Sequence, residues 1–310
     1  MSDFTYKTKP FEHQRNALKA GANATVFAYF MQMGTGKTKV TIDNMSYLYL
    51  EKKIDTVVVV APNSVYQNWL QELDMHCSVP YKTYTHKVDK KFLYKDNFLN
   101  YYLINVEAFS HVKGYKLIEK LIGQRGIKIA MVIDEATSIK NRTATRTKNL
   151  CKLSKAIKYK RILTGSPVTK SPLDLFSQCQ FLKQGLLGHA SFYTFQARYA
   201  ILQQLSLPGQ RSRMIPVGTQ NIEELEQKLK EVSFRVTKDE CMDLPDKIYQ
   251  KRNIMLTTEQ LHYYTQLKEH SRAILLDDMV SYNNKLTEII KLQQVCNGFV
   301  KTDSGEIINL

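Results

Sequence analysis

The sequence predicts an α/β protein, a doubly wound parallel sheet followed by a helical region. Three observations carry this expectation. Up to about residue 184, short apolar runs alternate with helix-like stretches, the rhythm of a sheet covered on both faces. The clearest runs are β-branched and apolar at every position, as a central parallel strand requires. A glycine-rich turn follows the first run and an acidic pair ends the fourth. Such sheets bind ligands beyond the carboxyl ends of their strands.

Taken in order, the expected strands are Ala24–Phe30 (ATVFAYF), Thr56–Ala61 (TVVVVA), Tyr101–Ile104 (YYLI), Ile127–Ile133 (IKIAMVI) and Arg161–Leu163. Between them the expected helices are Lys37–Tyr49, Ser64–Met75, Tyr115–Leu121 and Arg142–Ser154. After Leu186 the character changes. Gly185, Gly188, Pro208, Gly209, Pro216 and Gly218 punctuate a stretch with no buried strand pattern. Asn221 then opens a helix carrying Ile222, Leu225, Leu229 and Val232 at helical spacing, with Glu224 placed as the partner in a capping box. Leu244-Pro245 marks a break. Thr257 and Gln260 form a second box ahead of a helix expected to reach Leu276. A last helix is expected from Lys285 to Cys296, with Gly298 as its stop. Two parts follow, 1–184 and 185–310, the second read as helical.

Composition narrows the function classes. The chain has 310 residues, 44 Lys plus Arg against 29 Asp plus Glu, and a formal charge of +15. Apolar residues make up 43% and charged residues 24%, a globular balance that excludes wholesale disorder. The opening MSDFTYKTKP lacks the apolar core of a signal peptide, and no run reaches the ~18 apolar residues of a membrane span. The expectation is a cytoplasmic, nucleoid or nuclear protein, neither secreted nor membrane-bound. Five dispersed cysteines (Cys77, Cys151, Cys179, Cys241, Cys296) contain no CxxC pair, which disfavours a disulfide framework or a zinc site. The seven histidines show no metal-ligand spacing. Excess positive charge points to a polyanionic partner.

The segment Phe30-Met-Gln-Met-Gly-Thr-Gly-Lys-Thr38 follows a strand and opens a helix. Gly34 and Gly36 permit a tight turn whose backbone N–H groups cradle phosphate oxygens. Met33 and Thr35 complete that cradle, and the next helix adds its positive end. Lys37 reaches the outer phosphates, and the Thr38 hydroxyl is placed to ligate Mg²⁺. Met31 stands where the strict phosphate-loop pattern has glycine. Asp134 and Glu135 end the fourth strand, on the same edge. There one carboxylate can hold the metal, directly or through water, and the next can deprotonate an attacking water.

In their order, these residues resemble the superfamily 2 helicases and translocases, especially the Swi/Snf-type branch. Gln14 in Lys9-Pro-Phe-Glu-His-Gln14 resembles the family's adenine-reading glutamine. Met33–Thr38 resembles motif I, and Val58–Trp69 resembles motif Ia with its Asn-Trp pair. Leu103-Ile-Asn-Val-Glu-Ala-Phe109 sits at Ib. Asp134-Glu-Ala-Thr-Ser-Ile-Lys-Asn141 resembles the Swi/Snf form of motif II, and Leu163-Thr-Gly-Ser-Pro167 resembles motif III. Phe234–Glu240, Leu244–Lys247 and Leu292–Asn297 are similar to the segments that precede the family's second lobe. The resemblance implies a RecA-like first lobe of the P-loop NTPase class, binding ATP and Mg²⁺ and moving on duplex or branched DNA. It implies catalytic roles for Lys37, Asp134 and Glu135, and coupling roles for Thr137, Thr164, Gly165 and Ser166. It further implies DNA-backbone contacts from Asn63, Ser64, Asn105, Lys140 and Asn141. Thr137 replaces the histidine of the family's DEAH. A second RecA-like lobe is expected beyond Leu310, on the reading that the chain is an N-terminal fragment.

From Ala136 to Leu173 there are ten Lys or Arg and no Asp or Glu, a composition suited to salt-sensitive, sequence-independent phosphate contacts. Trp69 is expected to pack its helix onto the sheet rather than to stack on a base. Ser166 is not in a GxSxG elbow. Tyr263 and Tyr264 are assigned to a helical core. An RNA helicase, a P-loop kinase and a non-catalytic nucleic-acid-binding module stay open as alternatives.

Overall fold

The computed structural model describes residues 4–85, 94–169, 171–205, 213–241, 250–275, 278–282 and 284–310. By packing the chain divides into two units, Met1–Leu244 and Pro245–Leu310. That boundary falls later than the 184/185 line drawn on composition.

The first unit runs α1 (Glu12–Gly21), β1 (Val26–Met31), α2 (Lys37–Leu50), β2 (Thr56–Ala61), α3 (Tyr66–His76), β3 (Tyr81–Thr85), β4 (Leu99–Asn105), α4 (Val112–Ile122), β5 (Ile129–Asp134), α5 (Thr145–Ser154) and β6 (Tyr159–Leu163). It continues through α6 (Leu175–Leu182), α7 (Phe192–Tyr199), β7 (Ala200–Leu205), β8 (Arg213–Thr219), α8 (Ile222–Lys230), β9 (Ser233–Val236) and α9 (Lys238–Cys241). Seven strands form one sheet in the order β3-β4-β2-β5-β6-β1-β9. Every pairing in it is parallel.

Strand periodicity builds the two layers. In β2, Val57, Val59 and Ala61 face a cluster with Ala17, Leu18, Ile42, Met45, Trp69 and Leu73, so α1, α2 and α3 cover one face. Val58 and Val60 face Ile118, Leu150, Phe181, Phe195 and Leu225, so α4 to α8 cover the other. All four valines are 0% exposed, each contributing roughly 1.5–3 kcal/mol relative to exposure. Trp69 packs α3 against the sheet as expected. Helix α2 is buried on nearly every side, which explains why its sequence lacks a polar stripe.

Several expectations change. A strand was not expected at Tyr81–Thr85, whose half-buried YKTYT makes an edge rather than a centre. The stretch after Leu186 does return a strand to the sheet. Four-residue β9 pairs in parallel with β1, with Tyr29 opposite Phe234, too short to show as an apolar run. β7 and β8 pair antiparallel, so this region is not purely helical. Asn221 precedes α8, but its side chain makes no cap bond and its φ is +53°. Glu224 instead accepts from Lys228 Nζ at 2.6 Å, from Tyr199 Oη at 2.9 Å and from Arg198 Nε at 2.9 Å. The capping box is lost to that network.

The second unit contains α10 (Thr258–His270), the hairpin β10 (Arg272–Leu275) and β11 (Asp278–Ser281), α11 (Lys285–Cys296), and the pair β12 (Phe299–Lys301) and β13 (Ile307–Asn309). The Thr257/Gln260 box forms, with the Gln260 N–H donating to Thr257 Oγ1 at 3.1 Å and the Thr257 N–H to Gln260 Oε1 at 3.0 Å. Helix α10 stops at His270 rather than continuing to Leu276, because Ser271 turns left-handed at φ +60° and a strand follows. Gly298 ends α11 at φ +82°. Leu267, Ala273, Val280, Val295, Val300 and Ile308 form its core, with Tyr263 and Tyr264 packed against it. Pro208, Gly209, Lys170, Leu276 and the Leu244–Lys247 segment with its Leu244-Pro245 break lie outside the described residues.

Candidate nucleotide site and nucleic-acid edge

Parallel pairing decides where the motifs meet. Because every strand of the main sheet runs the same way, all carboxyl ends share one edge. β6 lies between β1 and β5, so Thr164-Gly165-Ser166 sits between the loop after β1 and the acids ending β5. β2 and β4 lie beyond β5, which brings Asn63 and Asn105 to the same edge.

The phosphate loop is built by its glycines. Gly34 and Gly36 both have φ of +85°, a region closed to most side chains. Gly36 caps α2, so the unpaired N–H groups of the first turn, at Lys37 and Thr38, border the loop. The Thr35 hydroxyl donates to the Gln32 carbonyl at 2.7 Å. Lys37 is 8% exposed and Thr38 half-buried. Met33 is exposed at 69%. The loop is braced from outside. Gln14 donates through Nε2 to the Thr35 carbonyl at 3.2 Å and accepts the Phe11 N–H through Oε1 at 3.1 Å. His13 Nε2 lies 2.9 Å from the same Thr35 carbonyl. The Lys238 N–H donates to Gln32 Oε1 at 2.6 Å. A Cβ on Gly36 would lie 2.2 Å from Gln14 Nε2, so a side chain there, already strained by the positive φ, would also displace the Gln14 amide from Thr35.

Gly165 makes the second close approach. A Cβ on it would lie 3.2 Å from the Met33 nitrogen and 3.4 Å from Gln32 Cα. The Thr164 N–H donates to the Tyr29 carbonyl at 3.2 Å, and the Ser166 N–H donates to Thr164 Oγ1 at 3.2 Å. The motif III segment therefore lies directly on the phosphate loop.

The acidic pair faces Lys37 electrostatically. Burial lowers the Lys37 pKa, opposed by the negative charges of Glu135 and then Asp134. Burial raises the Glu135 pKa, with Lys37 pulling it down and Asp134 pushing it up. Burial also raises that of Asp134, opposed by hydrogen bonds from Trp69 and from the Glu135 backbone and by the Lys37 charge. Asp134 Oδ1 accepts the Glu135 N–H at 2.9 Å, and Oδ2 accepts Trp69 Nε1–H at 2.9 Å. Glu135 itself is held at φ +50°, strained for a residue with a side chain. It opens the 3₁₀ turn Ala136–Ile139, in which half-buried Thr137 offers its carbonyl to the Lys140 N–H at 3.2 Å.

The structure joins two of the expected backbone-contact residues. Asn105 Nδ2 donates to Asn63 Oδ1 at 3.3 Å, while Asn105 Oδ1 accepts the Ala108 N–H at 2.9 Å. Ser64 shares the 3₁₀ turn Asn63–Val65. Lys140 donates from Nζ to Thr169 Oγ1 at 2.6 Å, and Asn141 Oδ1 caps a turn by accepting the Thr143 N–H at 3.0 Å. Among the described residues, no group of three or more His, Cys, Asp or Glu is placed to hold a metal ion, and no helix is long and apolar enough to cross a membrane.

A family profile described as the SNF2-related domain matches residues 29–299. The chain belongs to the SNF2-related domain family. The Swi/Snf resemblance carried by the motifs is borne out. A solved SWI2/SNF2 ATPase core from Sulfolobus solfataricus, in complex with dsDNA, superposes with a TM-score of 0.57 at 24% identity, covering 95% of this chain and 60% of that one. The RecA-like fold expectation is met in that likeness. The DNA annealing helicase and endonuclease ZRANB3 of Bos taurus is 28% identical over 230 residues, or 71% of this chain and 20% of that protein. The chromatin-remodeling ATPase INO80 of Debaryomyces hansenii is 25% identical over 311 residues, or 94% of this chain and 22% of that protein. The chain thus spans about a fifth of the length of these two curated relatives.

For this SNF2-related chain, three features escaped sequence reasoning. The outer brace by His13 and Gln14 needs the fold to bring α1 to the loop. Trp69 was legible as a packing residue, but nothing in the Asn-Trp pair revealed its bond to Asp134. Arg161, counted in the basic run, is 0% exposed. It donates to Asn44 Oδ1 at 2.8 Å and to the carbonyls of Ala24, Lys160, Gly21 and Thr25 at 2.7, 2.8, 3.0 and 3.2 Å. It is an internal strut and not part of any DNA face.

Proposed function

We propose that this chain is the ATP-binding first lobe of a DNA-stimulated ATPase that translocates on duplex or branched DNA. One observation carries the reading. Parallel β1, β6 and β5 bring the phosphate loop, Thr164-Gly165-Ser166 and the acidic pair to one edge, with Lys37 in the field of both acids.

The residues present fit a magnesium-bound nucleotide. The loop offers N–H groups and a lysine to phosphate oxygens, and Thr38 and Asp134 offer oxygen donors, the hard ligands Mg²⁺ takes. The bound ion would neutralise phosphate charge as the terminal phosphoryl group departs. In this reading Lys37 binds the outer phosphates. Glu135 accepts a proton from the attacking water, and its raised pKa suits a base. Gln14 either reads adenine, as in the resemblance, or keeps its hold on Thr35. Thr137, Thr164, Gly165 and Ser166 relay nucleotide state, and the contact of Gly165 with Met33 supports that relay. Asn63, Ser64, Asn105, Lys140 and Asn141 contact backbone phosphates. Residues 1–184 together with β9 form the nucleotide lobe, and the rest of 185–310 the protrusion and connector. A second RecA-like lobe of the same polypeptide closes the cleft. Residues 1–310 alone then bind MgATP weakly and turn it over slowly.

The test uses the complete protein. ATPase rate is measured with duplex, branched and single-stranded DNA and with RNA, in wild type and Glu135→Gln. The expected result is stimulation by duplex or branched DNA, and a loss of at least ~10²-fold in Glu135→Gln with nucleotide binding kept. Equal rates with and without nucleic acid, or full turnover in the variant, contradict the reading.

A further inference from the structure

Asp134 is anchored at both oxygens. Oδ1 takes the Glu135 N–H and Oδ2 takes the indole N–H of Trp69, each at 2.9 Å. Trp69 is 0% exposed and Asp134 5%. A buried indole has a single donor and usually finds an acceptor, but a backbone carbonyl would have served. Here it takes a carboxylate, the stronger charge-assisted kind of bond. Two donors on two different oxygens fix the rotation of the carboxylate about its Cβ–Cγ bond. Its remaining lone pairs are thereby aimed in one direction. Trp69 lies on α3, which continues without a break from the 3₁₀ turn Asn63–Val65.

We propose that Trp69 is a positioning residue for the metal-side carboxylate. Its N–H sets the orientation in which Asp134 meets a hydrated divalent cation, and it ties the Asn63–Val65 turn and α3 to the nucleotide site. This rests on the nucleotide-site reading above. Groups that orient a metal-binding residue are typically worth about 10–100-fold in metal affinity. Packing alone would give Trp69 no preference for the magnesium-bound form over free nucleotide.

The chain contains one tryptophan, so Trp69 emission is a built-in reporter. In the 310-residue chain, ADP is bound in EDTA and then titrated with Mg²⁺ while Trp69 fluorescence is followed. ADP affinity with and without Mg²⁺ is measured by calorimetry in wild type, Trp69→Phe and Lys37→Ala. Trp69→Phe keeps an aromatic ring and removes the donor. We expect Trp69 emission to change when Mg²⁺ joins bound ADP. In Trp69→Phe the Mg²⁺ needed should rise by about tenfold or more, with ADP affinity in EDTA unchanged. Unaltered emission, or equal losses with and without Mg²⁺, overturns the proposal. If the variant does not fold, the emission of the wild type decides alone. Loss of ADP binding in Lys37→Ala, with magnesium dependence untouched in Trp69→Phe, rejects Trp69 but keeps the nucleotide site. Absence of ADP binding by wild type rejects both.

Discussion

Arg161 shows how far a single side chain departs from what its charge suggests. Its guanidinium has no carboxylate among its hydrogen-bond partners. Five bonds, to one amide oxygen and four carbonyls, absorb its five N–H groups, the full donor capacity of arginine. They tie β6 to α2 and to the turn between α1 and β1. Arg161→Met leaves the fully buried Asn44 amide oxygen without its donor, at roughly 1–3 kcal/mol before relaxation, whereas the Gly21 and Thr25 carbonyls keep the N–H groups of Ala24 and Lys160. The expected loss in a denaturant titration is therefore about 1–3 kcal/mol. Arg161 could not be assigned from sequence, because lysines and arginines in a basic run look alike until burial separates them. That Gly34, Gly36, Lys37, Asp134 and Glu135 would meet at one sheet edge was legible, because their loops follow strands of one parallel sheet.

Elements with continuous apolar runs were the readable ones. TVVVVA matches β2 to the residue, because a strand buried on both faces leaves no polar position to blur its ends. Edge strands β3 and β9 were missed because edges carry mixed residues. Helix α8 was found with its start at Asn221, but the expected capping box does not form, since Glu224 serves Lys228, Arg198 and Tyr199 instead of a cap. That network has a pH signature. Hydrogen bonds from Lys228, Arg198 and Tyr199 hold the Glu224 carboxyl down at about 2, against an ordinary 4.5. A depressed carboxylate pKa stabilises the fold above its unfolded value, and that contribution fades as pH falls toward the folded one. Glu224→Gln should therefore lower the melting temperature of the chain at pH above 4.5, and the gap from wild type should close as pH falls toward about 2. A gap that stays constant with pH would contradict this account of the network.

At the scale of the molecule, strand order turns scattered motifs into a site. Motif I and motif II are far apart in sequence, yet a parallel sheet can only deliver their loops to one edge. β6 between them makes Thr164-Gly165-Ser166 the bridge. The shared edge was legible from sequence, because parallel strands followed from the apolar runs. The neighbour order of the strands was not, nor was the return of β9 beside β1. In the proposed function this edge is one nucleotide site gripped jointly by the loop and the acids. The decisive measurement is calorimetric titration of ADP, with and without Mg²⁺, into the 310-residue chain, its Lys37→Ala variant and its Asp134→Asn variant. Binding is expected in wild type, loss of it in Lys37→Ala, and in Asp134→Asn a loss confined to the magnesium-dependent part. Undiminished MgADP binding in both variants would contradict that expectation.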